Sequence, residues 1–138
     1  MINILKREII ITNDGSTTIH IPEWNEQYHS KHGAIQESKH VFVEMGLYYY
    51  LQNNKTSHLN ILEIGFGTGL NAIITLLESN RLQQSIQYTG VEAYPVEMLE
   101  IKKLNYSVQL NCSKKDYESL HQSQWEKKIV FDQFFSLE

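Results

Sequence analysis

The chain has 138 residues, 41% of them hydrophobic, and a formal charge of −4. That length suits one domain with a real core, no repeat or low-complexity tract interrupts it, and the negative balance argues against holding nucleic acid by bulk electrostatics alone, while leaving room for a local basic patch. A single cysteine, Cys112, excludes an internal disulfide, and no stretch has the pattern of a signal peptide or the length of a membrane span, so the cytoplasm is the expected compartment.

In chain order, REIIITNDGSTTIHIPEW (7–24) predicts a β-hairpin. Isoleucines cluster on both sides of Asp14-Gly15, and a DG dipeptide suits a tight turn with positive φ. Pro22 closes the second strand, and NEQYHSKHG follows as a polar loop to Gly33. From Ala34 to about Gln52 the periodicity predicts a helix, with Ile35, Phe42, Met45 and Tyr49 at helical spacing and Glu37, Lys39 and Glu44 toward solvent or a cleft. NNKTSH (53–58) is its exit loop. A short apolar strand, Leu59 to Ile64, then leads through a glycine loop into a helix from about Leu70 to Ser79. A second strand, Ile86 to Val91, runs into Glu92, and Pro95 marks the turn into another helix. Strand, helix and strand in this order make parallel sheets with right-handed crossovers, and ligands lie at the carboxyl ends of the strands. VEMLEIKKLNY (96–106) and KKDYESLHQSQ (114–124) read as helices, and KKIVFDQFFSL (127–137) as a third strand.

The glycine loop, LEIGFGTGLNAI (62–73), sets the chemistry. Glycines at alternate positions cost chain entropy unless the backbone must approach something closely. A dinucleotide-binding GxGxxG would need glycine at Leu70, so that pattern fails. The observed order is Glu63-x-Gly65-x-Gly67-x-Gly69, which resembles motif I of class I S-adenosylmethionine (SAM) methyltransferases. The resemblance implies a loop wrapped around the methionine part of the cofactor. It also implies an acidic group at the end of the next strand that accepts both ribose hydroxyl protons, and Glu92 stands there. A charged acceptor is worth roughly 1.5 to 3 kcal/mol, against about 1 kcal/mol for a neutral one.

Upstream, YHSKHGAIQESKHVFVEMG (28–46), taken with the DG hairpin and GFGTGLNA, resembles the MnmC-like family of tRNA-modifying methyltransferases. The matching residues are Tyr28, Ser30, Gly33, Glu37 and Val41-Phe42. The resemblance implies methyl transfer from SAM to the primary amine of 5-aminomethyl-2-thiouridine at the tRNA wobble position, with tRNA as partner. It implies an α/β, Rossmann-like class I methyltransferase fold carried as far as its first three parallel strands, with the hairpin and loop over 1–33 and the methyltransferase part over 34–138. Expected cofactor contacts are Glu63, Gly65, Phe66, Gly67, Thr68, Gly69, Asn71, Glu92 and Ala93, with Tyr28 and Glu37 flanking the methionine end. A tyrosine that simply packs on the helix is the alternative for Tyr28.

An amine that is protonated near neutrality has no lone pair for attack, so the chemistry calls for positioning and a nearby carboxylate. In the family that carboxylate sits in a D-[AG]-F-[AS]-P motif after the fourth strand. Nothing here matches it. DQFFS (132–136) lacks the proline and the small second residue, so Asp132 is not assigned catalysis and the catalytic group is expected beyond the chain end. His29, His32 and His40 with Lys31 and Lys39 form a basic cluster for tRNA phosphate or a solvated helix start. Metal binding by His29 and His32 is not expected, because no Cys or carboxylate completes a ligand set. The tyrosines 48–50 read as core plus surface rather than a base-stacking platform.

A complete methyltransferase sheet takes roughly 200 residues. The chain is therefore expected to be the cofactor half of a larger enzyme, inactive alone, and to form homo-oligomers through an exposed sheet edge. A spermidine-synthase-like aminopropyltransferase and a non-catalytic SAM-binding module are the competing readings.

Overall fold

The computed structural model describes residues 5–138, so the first four residues of the expected 1–33 unit lie outside the described part. An antiparallel sheet comes first, with β1 (Glu8–Ile11), β2 (Thr17–Ile21) and β3 (Glu26–Gln27) in that spatial order. The hairpin forms as expected around Asp14-Gly15. Glu8 pairs with His20 and Ile11 with Thr17, and Gly15 takes φ +84°. The polar loop holds more order than its composition suggests. Asn25, at φ 50°, turns the chain so that β3 pairs back onto Ile21 and His20.

One helical rod follows, α1 (Ala34–Glu37), a π-helical stretch (Ser38–Tyr48) and α2 (Tyr49–Asn53), close to the expected span. Its buried face is the expected one only in part. Ile35 is buried and Phe42 packs against Tyr88 in the core, but Met45 and Tyr49 are 63% and 64% exposed, while Ser38, Val43 and Leu47 point inward. A π-helix bonds i to i+5, so the inward residues recur in steps of five and four, and a period of 3.6 loses the face.

The rod starts at the hairpin turn. The first free N–H groups of α1 are met from upstream: Thr12 Oγ1 accepts from Ala34 at 3.1 Å, Ser16 Oγ from Ile35 at 3.2 Å and Asp14 Oδ2 from Gln36 at 2.9 Å. Helix starts need such acceptors, and here a distant turn supplies three of them. Burial raises the Asp14 carboxyl, yet bonds from Ser16, Gln36 and Thr12 outweigh it and bring it down to about 2.

The second sheet has the order β4 (His58–Ile64), β5 (Ser85–Val91), β7 (Phe135–Leu137), β6 (Ile129–Val130). β4 and β5 are parallel over seven pairs, from His58 with Ser85 to Ile64 with Val91, and α3 (Leu70–Leu82) joins them. α3 runs past the expected Ser79 until Gln83 turns left-handed. β7 adds in parallel to β5. The expected single third strand is instead a hairpin, because Asp132 Oδ1 accepts from the Phe134 and Phe135 N–H groups and folds β6 antiparallel onto β7. The segment from Val96 to Tyr106 is also broken, into α4 (Met98–Ile101) and the start of α5 (Tyr106–Gln109); α6 (Lys114–Gln122) forms as read.

The core lies on one face of the second sheet, where Ile73, Ile74, Ile86, Tyr88 and Phe135 are nearly or fully buried. The other face of β4 leaves Leu62 and Ile64 65% and 76% exposed, and among the described residues β4 pairs only with β5. Beside that strand a groove of about 500 Å³ is lined by Val41, Phe42, Leu47, Tyr50, Leu59 and Ile61 among others. No helix among the described residues is long and apolar enough to cross a membrane.

Candidate functional site: the glycine loop and its supports

The loop leaves β4 at its carboxyl end. The Val91 carbonyl accepts N–H bonds from Gly65 at 2.8 Å and Phe66 at 3.0 Å, which holds the loop across the end of β5. Gly65, Gly67 and Gly69 have φ of +85°, +55° and +68°, a backbone that side chains disfavour. Their surroundings differ. A Cβ on Gly65 meets nothing within 4 Å, whereas one on Gly67 lies 3.0 Å from the Tyr28 ring and one on Gly69 lies 2.7 Å from His121. The loop is therefore open over Gly65 and packed at the other two.

Glu92 stands where expected, at the end of β5. Its Oε2 accepts the Gly67 N–H at 2.9 Å and its Oε1 the Tyr94 N–H at 2.8 Å, so the half-buried carboxylate is already fixed against the loop. Ala93 is exposed next to it.

Glu63 is buried at the end of β4. Burial raises its pKa, opposed by hydrogen bonds donated by the Tyr88 hydroxyl at 2.6 Å and Asn71 Nδ2 at 2.7 Å; the Glu92 charge pushes it up further. Ser38 of the π stretch donates to Asn71 Oδ1, which links the rod to the loop. Glu63 and Asn71 thus serve the loop's frame.

Tyr28 reaches the site through its ring against Gly67, with the Arg7 guanidinium 6.0 Å from the ring centre. Arg7 also donates to the Tyr94 carbonyl at 2.8 Å and pairs with Glu100 at 3.2 Å, so it ties the first sheet to the segment after Glu92. Glu37 is half-buried, and its Oε2 accepts the Ser30 N–H at 2.8 Å, which shapes the turn after Tyr28.

Two expected contacts turn inward. Phe66 is buried under the loop against His121 and Trp125, close enough to Gly90 that a Cβ there would lie 2.4 Å from its ring. Thr68 is 1% exposed. His29, part of the cluster read as meeting tRNA phosphate or as a solvated helix start, is turned inward too: its Nε2 meets Thr68 Oγ1 at 3.2 Å, and burial lowers its pKa against the opposing pull of Glu37. His32, His40, Lys31 and Lys39 remain exposed, with His40 paired to Glu44. Among the described residues no group of three or more His, Cys, Asp or Glu is placed to hold a metal ion.

Several supports were not legible as site residues: Arg7, Tyr88, Tyr106, Tyr117 and His121. Most of them bond backbone or buried atoms of the loop, and such partners leave no spacing in a sequence. The i, i+4 spacing of Tyr117 and His121 on one helix face is the only signal available.

No protein-family model matches the chain. The chain is 32% identical over 89 residues to the tRNA 5-methylaminomethyl-2-thiouridine biosynthesis bifunctional protein MnmC of Magnetococcus marinus, covering 62% of this chain and 13% of that protein. The protein of the same name from Leptospira interrogans is 32% identical over 105 residues, 72% of this chain and 16% of its own length. The crystal structure of MnmC2 from Aquifex aeolicus superposes with a TM-score of 0.67 at 25% identity, over 99% of this chain and 43% of that one. The chain therefore spans a small part of the curated relatives it matches and less than half of the solved one. Sequence similarity over most of the chain, joined to a shared fold over nearly all of it, makes it a member of the MnmC-like family.

Proposed function

We propose that this chain is the SAM-binding part of a Rossmann-like class I methyltransferase whose full-length form methylates the primary amine of 5-aminomethyl-2-thiouridine at the tRNA wobble position. The observation that carries the reading is the Glu92 carboxylate held on the Gly67 N–H, beside an open and left-handed Gly65, at the carboxyl ends of two parallel strands. The residues suit the cofactor: the space over Gly65 is open, and the Glu92 carboxylate beside the loop is the group that would hold a ribose. When bound, SAM supplies a methyl group on a positively charged sulfur. Glu92 would accept the two ribose hydroxyls, the loop backbone would line the methionine part, and Tyr28 with the Glu37-braced turn would close that end.

The amine must lose a proton before it attacks. Glu63 is an unsuitable acceptor, because its carboxylate is buried beneath the loop, between Tyr88 and Asn71, away from an incoming amine. Asp132 is occupied by its own turn and by Asn80. The reading therefore places the base outside this chain, and the isolated 138 residues bind cofactor without turnover. A cytoplasmic site of action and tRNA as partner belong to the same reading, as does self-association through β4.

Calorimetry with SAM and with decarboxylated SAM tests the cofactor, and radioactive methyl transfer to aminomethyl-modified tRNA tests the reaction. Preference for SAM and no turnover by this chain are expected. Preference for decarboxylated SAM would move the protein to aminopropyl transfer, and failure to bind either would remove the reading.

A further inference from the structure

The Thr68 carbonyl takes two hydrogen bonds from one helix. Tyr117 Oη donates at 2.7 Å and His121 Nε2 lies 3.0 Å away, both from α6. A carbonyl only accepts, so the His121 ring carries its proton on Nε2, and the two donors fill both lone pairs of the oxygen. The ring is neutral over the ordinary pH range: burial lowers His121 to about 4, against the opposing pull of the Thr68 carbonyl. The other side of Thr68 is held as well, its hydroxyl meeting His29 Nε2 at 3.2 Å and the Tyr106 hydroxyl at 3.3 Å.

We infer that Tyr117 and His121 are positioning residues for the glycine loop: by fixing the Thr68–Gly69 peptide plane they hold Gly67 and Gly69 in the left-handed conformation that a ligand meets. The peptide is planar, so an anchored carbonyl also sets the direction of the Gly69 N–H, which bonds the Phe66 carbonyl at 3.0 Å and closes the turn. Glycine is flexible in φ and ψ, and a loop with three of them loses that freedom on binding unless something has removed it beforehand. α6 removes it. The requirement for glycine at position 69 follows from the same contact, since His121 occupies the space a Cβ would need. Phe66 adds an edge contact to the His121 ring, centroids 5.4 Å apart, so one imidazole supports the loop on both sides of Gly67.

The consequence for SAM rests on the cofactor reading above, but the clamp itself is measurable without ligand. The variants are His121→Leu, which removes the donor, His121→Gln, which keeps an N–H, and Tyr117→Phe, which keeps the ring. The readouts on the whole chain are amide exchange of Gly69 and Leu70 without ligand, SAM affinity by calorimetry, and thermal midpoint. His121→Leu and Tyr117→Phe should each speed loop exchange and weaken SAM by about tenfold, the worth of one hydrogen bond to an ordered group. His121→Gln should recover most of both losses at a similar midpoint. A merely structural ring would lower the midpoint in Leu and Gln variants alike and leave loop exchange tracking global unfolding; that result, or unchanged exchange in His121→Leu, overturns the inference. Loop exchange that responds as expected in a chain that binds no SAM upholds the clamp and removes the cofactor reading alone.

Discussion

Glu92 and Gly67 are 25 residues apart and joined by one hydrogen bond of 2.9 Å, from the glycine's N–H to the carboxylate. The acid that would hold a ribose is thus also a brace for the loop beneath it. Glu92→Ala removes both roles. SAM binding should weaken by about 1.5 to 3 kcal/mol, the cost of losing a charged acceptor, and calorimetry measures it. Unchanged affinity would place the ribose elsewhere.

The two glycines Gly65 and Gly90 separate binding from packing. Gly65→Ala meets no neighbour and costs only left-handed strain, about 1 kcal/mol, but its methyl enters the open space, so SAM affinity should fall more than stability. In Gly90→Ala the backbone is unstrained and the methyl drives into the Phe66 ring, so the expected loss is about 1 to 3 kcal/mol of stability. Denaturant midpoints and SAM titrations on the pair should show opposite rankings.

Asp14→Ala should cost about 1 to 2 kcal/mol, as lost helix caps do, and should change the acid limb of the stability curve. The folded carboxyl sits at about 2, below its ordinary 3.8. Its contribution is therefore complete above about pH 4 and disappears as pH falls toward 2. The group is largely exposed, so solvent screening holds that contribution to about 1 kcal/mol. Thermal melts of wild type and variant should converge over this window.

The open edge of β4, with exposed Leu62 and Ile64 and the groove beside Val41 and Tyr50, should drive association of the isolated chain. Sedimentation over a wide concentration range reads it out. A monomer throughout, with β4 amides slow to exchange, would mean that edge is protected without a partner.

The strand, loop, helix, strand unit was legible because its signals are local: an apolar run, three spaced glycines and an acid one residue past the second strand. Glu92 meets the loop at Gly67, at the carboxyl ends of the two paired strands. The face of the 34–53 rod was legible at Ile35 and Phe42 but not beyond, since Val43 and Leu47 replace Met45 and Tyr49 only if the winding is π, and a sequence does not announce its winding. β3 was hidden because Glu26 and Gln27 are polar and pair through backbone alone. The β6–β7 hairpin was hidden because Asp132, the residue that resembled a catalytic acid, spends its carboxylate on turning the chain. Tyr117 and His121 recognise a backbone carbonyl, which every residue has.

The turn that caps α1 also sets how this region comes apart. Thr12, Asp14 and Ser16 reach amides some twenty residues downstream, so the first turn of the rod cannot keep its hydrogen-bond partners once the hairpin peels away. The hairpin and the start of the rod should therefore open as one cooperative unit. Protection of the Ala34, Ile35 and Gln36 amides then becomes a direct gauge of whether the N-terminal sheet is docked, and because Ser38 bonds Asn71, undocking reaches the frame of the glycine loop as well.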